Sequence, residues 1–182
     1  MMKQTAIALA FSTLALPTFA TPPALAQGAA APLAGFWAQH SSGPELVAVP
    51  AIRLVPNSGG SGLSPALRHE TRPVTVDRTM SLEVRPDGTF RWRIDKTRAG
   101  SQSDASCRVA TREEKLGRVQ VSGSQLIVTI TGGTASAADS CNPARNQSSP
   151  VPPGEERYVV AIGGSSLRMT GSGGVDWTFA RR

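Results

Sequence analysis

The amino-acid sequence predicts an all-β fold, an antiparallel up-and-down meander of eight to nine strands that closes into a barrel. Three observations carry this prediction. Apolar and polar residues alternate in several short segments, Gly-containing loops of three or four residues join these segments in pairs, and no segment keeps an amphipathic helical period. We expect the meander to close because a barrel leaves no exposed sheet edge.

The clearest hairpin lies between Thr79 and Asp95. Apolar residues alternate with polar ones on both sides of the loop 86–88, in which Gly88 can adopt the left-handed conformation that such a loop needs. Pairing around this loop places Leu82 opposite Trp92. One face of the hairpin is then apolar and the other charged, so its register is well specified. The predicted inward face consists of Met80, Leu82, Val84, Phe90, Trp92 and Ile94.

Two more hairpins and a terminal strand repeat this pattern. Loops at 122–125 and 163–166 join alternating segments, and Trp177 and Phe179 alternate with polar residues near the carboxyl terminus. Further strands are expected around 36–39, within 46–55 and around 107–111. Trp37, Trp177 and Phe179 join the inward set, which lines a ligand cavity or fills a barrel core, since small eight-stranded barrels do either. The small number of aromatic residues favours a mostly filled core with a shallow mouth.

Two segments, 41–73 and 131–157, interrupt the meander with the composition of long loops. The first contains five Pro residues and the run Asn57 to Gly62, and the second is rich in Gly, Ser, Asn and Pro. Long loops in compact domains are often functional or disordered. We therefore expect 41–73 to form a mobile flap beside the barrel.

The amino terminus has the pattern of a signal peptide. Lys3 precedes the apolar run 6–16, and Ala24-Leu25-Ala26 is the small-x-small pattern of a cleavage site. Residues 1–26 are predicted to be removed, which leaves 27–182 as a single domain that is periplasmic or secreted and carries no membrane anchor. Removal of Lys3 lowers the formal charge of the 182-residue chain from +6 to +5.

An exported chain with two cysteines is expected to contain one disulfide bond, because oxidising compartments let such bonds persist. Cys107 and Cys141 are the two cysteines, so the connectivity follows directly. A redox or metal-binding pair is the alternative. The spacing is not Cys-x-x-Cys and no His lies near either residue, so the sequence favours a structural bond that pins the segment 131–157 to the strand containing Cys107.

Gly35-Phe36-Trp37, at the start of the mature body, resembles the G-x-W motif of the first strand in lipocalins and bacterial lipocalin-like proteins of the calycin type. The resemblance implies an eight-stranded barrel in which this Trp closes one end and a basic residue after the last strand packs on it. Arg181 and Arg182, which follow Phe179, are the candidates for that cation. The resemblance also implies binding of a small apolar ligand.

Catalytic, metal-binding and cofactor-binding patterns are weak throughout the sequence. His40 and His69 fall in or beside the predicted flap, and adjacent Glu pairs on a strand point to opposite faces, which makes them poor acid–base couples. No metal or cofactor is therefore expected. Arg85, Arg91 and Arg93 cluster on the polar face of the main hairpin, and an ordinary solvated sheet face explains them better than nucleic-acid binding in an exported chain.

The expected function is non-enzymatic binding of a small apolar ligand by an exported lipocalin-like barrel. The alternative is a periplasmic inhibitor or envelope protein-interaction module, in which the barrel is a scaffold and the basic face or the flap binds the partner. A filled interior favours the scaffold, and an open apolar cavity with a mouth favours the ligand carrier.

Overall fold

The computed structural model of the chain describes residues 30–100 and 106–182, except for the side chain of residue 50. The predicted signal peptide, residues 1–26, lies outside the described residues. A short 3-10 helix, Ala31–Leu33, precedes nine strands. A second 3-10 helix, Pro143–Arg145, lies between the fifth and the sixth strand. The strands are β1 Gly35–Pro56, β2 Leu63–Val84, β3 Thr89–Ala99, β4 Arg108–Ser122, β5 Gln125–Asp139, β6 Gln147–Pro150, β7 Gly154–Gly163, β8 Ser166–Thr170 and β9 Asp176–Arg181.

Eight of these strands form a closed antiparallel barrel, which confirms the predicted fold class. Each of β1 to β5 pairs with the next in sequence, β5 pairs with β7, and the order continues through β8 and β9 back to β1. Strand β6 lies outside this ring and pairs only with the upper part of β5. Consecutive hairpins therefore build the barrel as an up-and-down meander.

The predicted register of the main hairpin is confirmed. Leu82 lies opposite Trp92, Val84 opposite Phe90, and the pair at 80 and 94 follows in the same order. Gly88 in the connecting turn has φ +81°, the conformation that its missing Cβ allows. The alternation of apolar and polar residues therefore determined which face of this hairpin is buried.

The lower half of the barrel is a filled apolar core. Trp37, Leu126, Leu167, Met169 and Phe179 are at most 1% exposed, and side chains of every barrel strand contribute to the same cluster. The predicted inward residues Met80, Leu82, Val84 and Phe90 belong to it. Native cores of this kind contain few voids larger than a water molecule. Phe90 also borders a cavity of about 230 Å³, which it shares with Arg91 and Leu116.

The prediction that 41–73 forms a long loop is wrong. These residues continue β1 and β2 into a two-stranded ribbon that is paired without interruption from Gly43 and Val76 to Pro56 and Leu63, and the turn itself is short. Pro in a strand is tolerated where its missing N–H would face away from the partner strand. The proline residues at 44, 50, 56, 65 and 73 all occupy such positions, which is why loop composition hid two long strands.

The prediction that 131–157 forms a long loop is also largely wrong. Strand β5 extends to Asp139, and β6 returns along it before β7 begins at Gly154. A bulge opposite Leu116 and Gly117 interrupts the β4–β5 register, and a Cβ on Gly117 or Gly133 would lie only 1.9 Å from a backbone oxygen of the facing strand. The glycines here permit close strand approach.

The disulfide prediction is confirmed. Cys107 and Cys141 are bonded, with their Cα atoms 5.4 Å apart, and the bond lies at the end of the β4–β5 hairpin. It ties the segment after β5 to the residue just before β4.

Among the described residues, no helix is both long enough and apolar enough to cross a membrane.

Candidate binding site at the open end of the barrel

One end of the barrel is closed by Trp37. Its ring is fully buried, its Nε1 donates a hydrogen bond to the backbone oxygen of Leu33 at 2.8 Å, and the Arg181 guanidinium lies 5.0 Å from the ring centroid. Arg181 also donates a hydrogen bond to the backbone oxygen of Ala34. Of the two candidate cations, Arg181 is therefore the one that packs on Trp37, whereas Arg182 donates its backbone N–H to Phe36.

The opposite end of the barrel is open and asymmetric. Strands β1 to β5 continue well beyond the level at which β7 begins, because β5 passes its last pairing with β7 at Ile130 and runs on to Asp139. Strands β8 and β9 are only five and six residues long. The open end therefore has a high wall formed by β1 to β6 and a low rim formed by β7 to β9.

Three aromatic rings form the floor of this open half. Trp92 lies edge-on to Tyr158 at 5.6 Å and to Trp177 at 6.4 Å between ring centroids, and Tyr158 and Trp177 are 5.9 Å apart. Aromatic pairs favour such edge-to-face arrangements at these separations. The three rings come from β3, β7 and β9, so the floor joins the high wall to the low rim.

A buried ionic group lies against the aromatic floor. Lys115, only 8% exposed, places its Nζ 5.4 Å from the Trp92 ring centroid and 2.7 Å from Glu156 Oε1. The other carboxylate oxygen of Glu156 accepts a 2.6 Å hydrogen bond from the Tyr158 hydroxyl. Burial, the hydrogen bond to Glu156 and the nearby negative charge raise the pKa of Tyr158, so the phenol stays protonated and acts as a donor.

A second ionic group lies higher in the open half. Glu45 accepts a 3.0 Å hydrogen bond from Lys96 and also pairs with Arg78. Burial, reinforced by the positive charge of Arg78, lowers the pKa of Lys96. Because Lys96 and Arg78 face each other across β2 and β3, Glu45 holds two cations together that would otherwise repel.

Two cavities remain between these groups. The larger, of about 330 Å³, lies against β3 to β6 and is lined by Ile94, Lys96, Thr111, Glu113, Ala135 and Ala137, among others. The smaller, of about 240 Å³, lies against β1, β2 and the start of β9, and its lining includes Gln39, Ser41, Val76, Arg78 and Trp177. Both combine apolar surface with a few charged or polar groups.

Two buried polar atoms in this region have neither a hydrogen-bond partner nor an ion-pair partner among the described residues: Trp92 Nε1 and the Gln39 amide oxygen. Glu45 Oε1 also lacks a hydrogen bond but is ion-paired with Arg78. Trp92 is 2% exposed and lies one inward position below Ile94, which lines the larger cavity. Gln39 lines the smaller cavity. Nearly all buried polar groups in folded proteins are hydrogen-bonded, so two exceptions beside two cavities call for a physical explanation.

The predicted site residues therefore divide between the two halves of the barrel. The lower core contains Trp37, Met80, Leu82, Val84, Phe90 and Phe179. Ile94 and Trp177 line the cavities of the open half, and the buried Trp92 packs against Trp177 at the boundary between the two halves. The sequence analysis missed Lys115, Glu156, Tyr158 and Gln39. Tyr158 and Lys115 do alternate in parity with inward apolar neighbours, which was the available signal, but charged residues at inward positions are not recognisable without the pairing.

Other residues considered for chemistry lie outside this site. His40 Nδ1 is 3.3 Å from Thr79 Oγ1 on the barrel exterior, and His69 lies on the ribbon. Arg91 and Arg93 pair with Glu114 and Asp95 on the outer sheet face. Within residues 30–100 and 106–182, no three His, Cys, Asp or Glu side chains come together as a metal site would require.

The fold and the site together define a closed eight-stranded antiparallel barrel with one sealed end and one open end, an arrangement compatible with a lipocalin-like fold. In comparisons with known proteins, the chain matches no protein-family model, no curated protein and no solved structure.

Proposed function

We propose that the protein is a non-enzymatic binding protein that holds a small, mainly apolar molecule in the open half of the barrel. The observation that carries this proposal is the pair of unpartnered buried atoms, the Gln39 amide oxygen and Trp92 Nε1. Gln39 lines the smaller cavity, and the Trp92 ring packs against Trp177, which lines the same cavity. A ligand with a hydrogen-bond acceptor would satisfy the indole N–H, and a donor on the ligand would satisfy the amide oxygen.

The dimensions of the open half limit the size of the ligand. Cavities of about 330 Å³ and 240 Å³ lie at or below the lower end of the range of small-molecule sites, roughly 300–1,000 Å³. The filled core below Trp92 prevents deeper entry. We therefore expect a compact ligand whose apolar part lies against Ile94 and Ala135.

The compartment of this function is proposed from the leader sequence and the disulfide bond. Residues 1–26 have the pattern of an export signal, and the Cys107–Cys141 bond is compatible with an oxidising compartment. The protein would then act in the periplasm or after secretion.

A second candidate function is an envelope protein-interaction module or periplasmic inhibitor that uses the barrel as a scaffold. The filled lower core and the exposed apolar residues of the β1–β2 ribbon favour it. A scaffold needs no ligand in the open half, so the two candidates differ in whether that half binds a small molecule.

The test compares two Ala-to-Phe variants in a fluorescence titration with 1-N-phenylnaphthylamine. Ala135→Phe fills the larger cavity, whereas Ala110→Phe places the same bulk on the exposed face of β4. We expect the wild type and Ala110→Phe to bind the probe and Ala135→Phe to lose at least about tenfold in affinity, or about 1.4 kcal/mol. No binding by the wild type, or equal binding by all three, would favour the scaffold function.

A second measurement identifies the natural ligand directly. Native mass spectrometry of protein isolated from its own host should show a small molecule that leaves the protein on collisional activation. Ala135→Phe isolated in the same way should lack that mass.

A further inference from the structure

The ribbon formed by residues 44–56 of β1 and 63–75 of β2 has an apolar outer face. The even-numbered positions of β1 and the odd-numbered positions of β2 share this face, which continues the exterior of the barrel. Leu46, Ile52 and Leu67 are 75%, 74% and 66% exposed. Leu54 and Leu63 are also exposed on the same face. Lower on the same two strands the exterior is mainly polar, with Phe36 as an exposed apolar exception, so the outer face becomes apolar along the ribbon.

The inner face of the ribbon contains its charged residues. Glu70 pairs with both Arg53 and Arg72, and the exposed fraction of its side chain is only 18%. By register, the one titratable residue on the outer face is His69. The outer face therefore offers aliphatic surface almost without charge, and soluble monomers rarely expose a contiguous apolar patch of this extent.

The two long edges of the ribbon are blocked against strand addition. Asn57 donates its N–H to Gly62, so odd-numbered β1 residues form the hydrogen-bonded pairs and even-numbered ones direct their backbone groups outward. The proline residues at 44, 50, 56, 65 and 73 all occupy outward positions and have no N–H to offer. Edge pairing with another chain is thereby interrupted every six to eight residues, so a partner must cover the face and not the edge.

We infer that the outer face of the ribbon is the interface of a homodimer, in which two copies of the chain pack their ribbons face to face around a two-fold axis. A two-fold arrangement places the same patch of each subunit in contact, which requires a self-complementary surface. This face meets that requirement because it is aliphatic and nearly uncharged, so two copies bring no like charges together. Sheets pack in this way about 10 Å apart.

A lipid surface fits the ribbon less well. Segments that lie in a membrane interface combine apolar residues with aromatic anchors and with Lys or Arg that reach the headgroups. Residues 44–75 contain no Trp, Tyr or Phe. Arg53 and Arg72 lie on the opposite face, where both pair with Glu70.

The size of the face predicts a weak dimer. Thirteen residues per strand at about 3.4 Å per residue give a face about 44 Å long and roughly two strands wide. Two such faces would remove on the order of 1,000 Å² from water, just below the usual range for stable interfaces. Association in the micromolar range is therefore expected, with monomer at high dilution.

The test measures the monomer–dimer equilibrium of the disulfide-bonded protein by analytical ultracentrifugation. Ile52 lies near the middle of the face and so near the two-fold axis. We expect Ile52→Glu to weaken association at least about tenfold, because two unpaired charges would be buried. Val159→Glu is the matched control, since Val159 is an exposed aliphatic residue, 58% accessible, on the barrel wall, and it should associate like the wild type. Circular dichroism verifies that both variants are folded.

A mixing experiment tests the two-fold arrangement. Ile52→Glu and Ile52→Lys should each be monomeric alone and should form a heterodimer when mixed, because opposite charges then meet at the axis. A monomeric wild type, an unchanged Ile52→Glu dimer, or variants that do not associate on mixing would overturn the inference. A wild type that stays monomeric but floats with phosphatidylcholine vesicles, unlike Ile52→Glu, would assign the face to lipid instead.

Discussion

At the scale of single residues, Gly35, Trp37 and Arg181 act together to seal the barrel. Gly35 has φ +137°, and a Cβ there would lie 3.1 Å from Arg181 Nε. The glycine thus gives the guanidinium room to lie over the Trp37 ring and to reach the backbone oxygen of Ala34. The spacing of the first and third residues of Gly35-Phe36-Trp37 has a physical cause, because the missing side chain and the ring contact the same cation.

Arg181→Ala should therefore destabilise the protein by about 1–2 kcal/mol. The variant loses the cation–π contact, worth roughly 0.5–1 kcal/mol at an exposed site, and the hydrogen bond to Ala34. Urea unfolding followed by Trp fluorescence measures the change. Arg182→Ala removes a neighbouring arginine that does not contact the ring and should shift the free energy of unfolding by no more than about 0.5 kcal/mol. Equal losses in both variants would contradict the assignment of Arg181.

Trp92 connects the core to the open half, and two substitutions separate its roles. Trp92→Ala removes a large buried side chain and should cost roughly 3–5 kcal/mol in free energy of unfolding. Trp92→Phe keeps most of the ring and removes the unpartnered N–H, so it should cost much less, since an unsatisfied buried donor is itself unfavourable by about 1–3 kcal/mol. Chemical denaturation of the three proteins gives both differences.

The same two variants bear on ligand binding. If Trp92 Nε1 donates to a ligand, Trp92→Phe should lower the affinity for an acceptor-containing probe while the protein stays folded. A folded Trp92→Phe that binds the probe as tightly as the wild type would show that the N–H takes no part. A Trp92→Ala variant as stable as the wild type would contradict the burial of this ring.

At the scale of elements, the sequence predicted hairpins best where one face is buried. The register around Gly88 followed from alternation, because a slip of one residue would expose Leu82 and Trp92. The ribbon lacks that constraint, since neither of its faces lies in a core, and its prolines are acceptable at the outward-facing positions. Local composition could not distinguish two proline-containing strands from a loop.

The candidate site was predicted only in part for a similar reason. The alternation of apolar and polar residues identified Trp92 and Trp177 as inward residues. The ion pair between Lys115 and Glu156, by contrast, depends on pairing between strands that are distant in the sequence. The bulge opposite Gly117 and Leu116 shifts the parity of β5 relative to β4, and periodicity does not reveal such a shift. The partners that charged side chains find on distant strands could therefore be identified only in the structure.

The disulfide bond is expected to stabilise the upper end of the β4–β5 hairpin. Cys107 and Cys141 are 34 positions apart in the sequence, for which the loop-entropy relation gives about 3–4 kcal/mol. Cys107→Ala combined with Cys141→Ala should lower the free energy of unfolding by up to that amount. Limited proteolysis of the folded protein should then cleave first between residues 140 and 146, which follow β5. If reduction of the disulfide bond left the free energy of unfolding of the wild type unchanged, this role would be contradicted.

At the scale of the whole molecule, the barrel divides its tasks between two ends. Apolar side chains fill the lower half and Trp37 closes it, so stability resides there. The open half contains ion pairs, buried polar atoms without a hydrogen bond, and cavities, which a protein can carry because the lower core already holds the strands together. The ribbon extends from β1 and β2 and belongs neither to the filled core nor to the open half. Its outer face is therefore free for a partner.

Acid should destabilise the whole molecule through its carboxylates. Hydrogen bonds and charges from Arg53 and Arg72 lower the pKa of Glu70. A hydrogen bond from Thr170, together with the hydrogen bond and charge of Arg168, lowers the pKa of Asp176. For Asp95, burial alone would raise the pKa, but hydrogen bonds from Arg112 and Arg93 outweigh it and leave the pKa below its ordinary value. Protonating all carboxyl groups also leaves 19 Lys and Arg side chains unopposed.

The direction of the pH dependence follows from these lowered pKa values. A carboxyl group whose pKa is lower in the folded state contributes its full stabilisation above its unfolded pKa, about 4, and loses it as the pH falls through the folded value. Urea unfolding should therefore give a constant free energy from pH 7 to about pH 5 and a decline below pH 4.

Asp95→Asn should lower the stability at pH 7 by at most about 1 kcal/mol, because its ion pairs are partly exposed, and should flatten the decline. Asp77→Asn, which removes a carboxylate without an ion pair among the described residues, should keep the wild-type decline. An Asp95→Asn variant whose acid profile parallels that of the wild type would refute the part assigned to the Arg93–Asp95–Arg112 group.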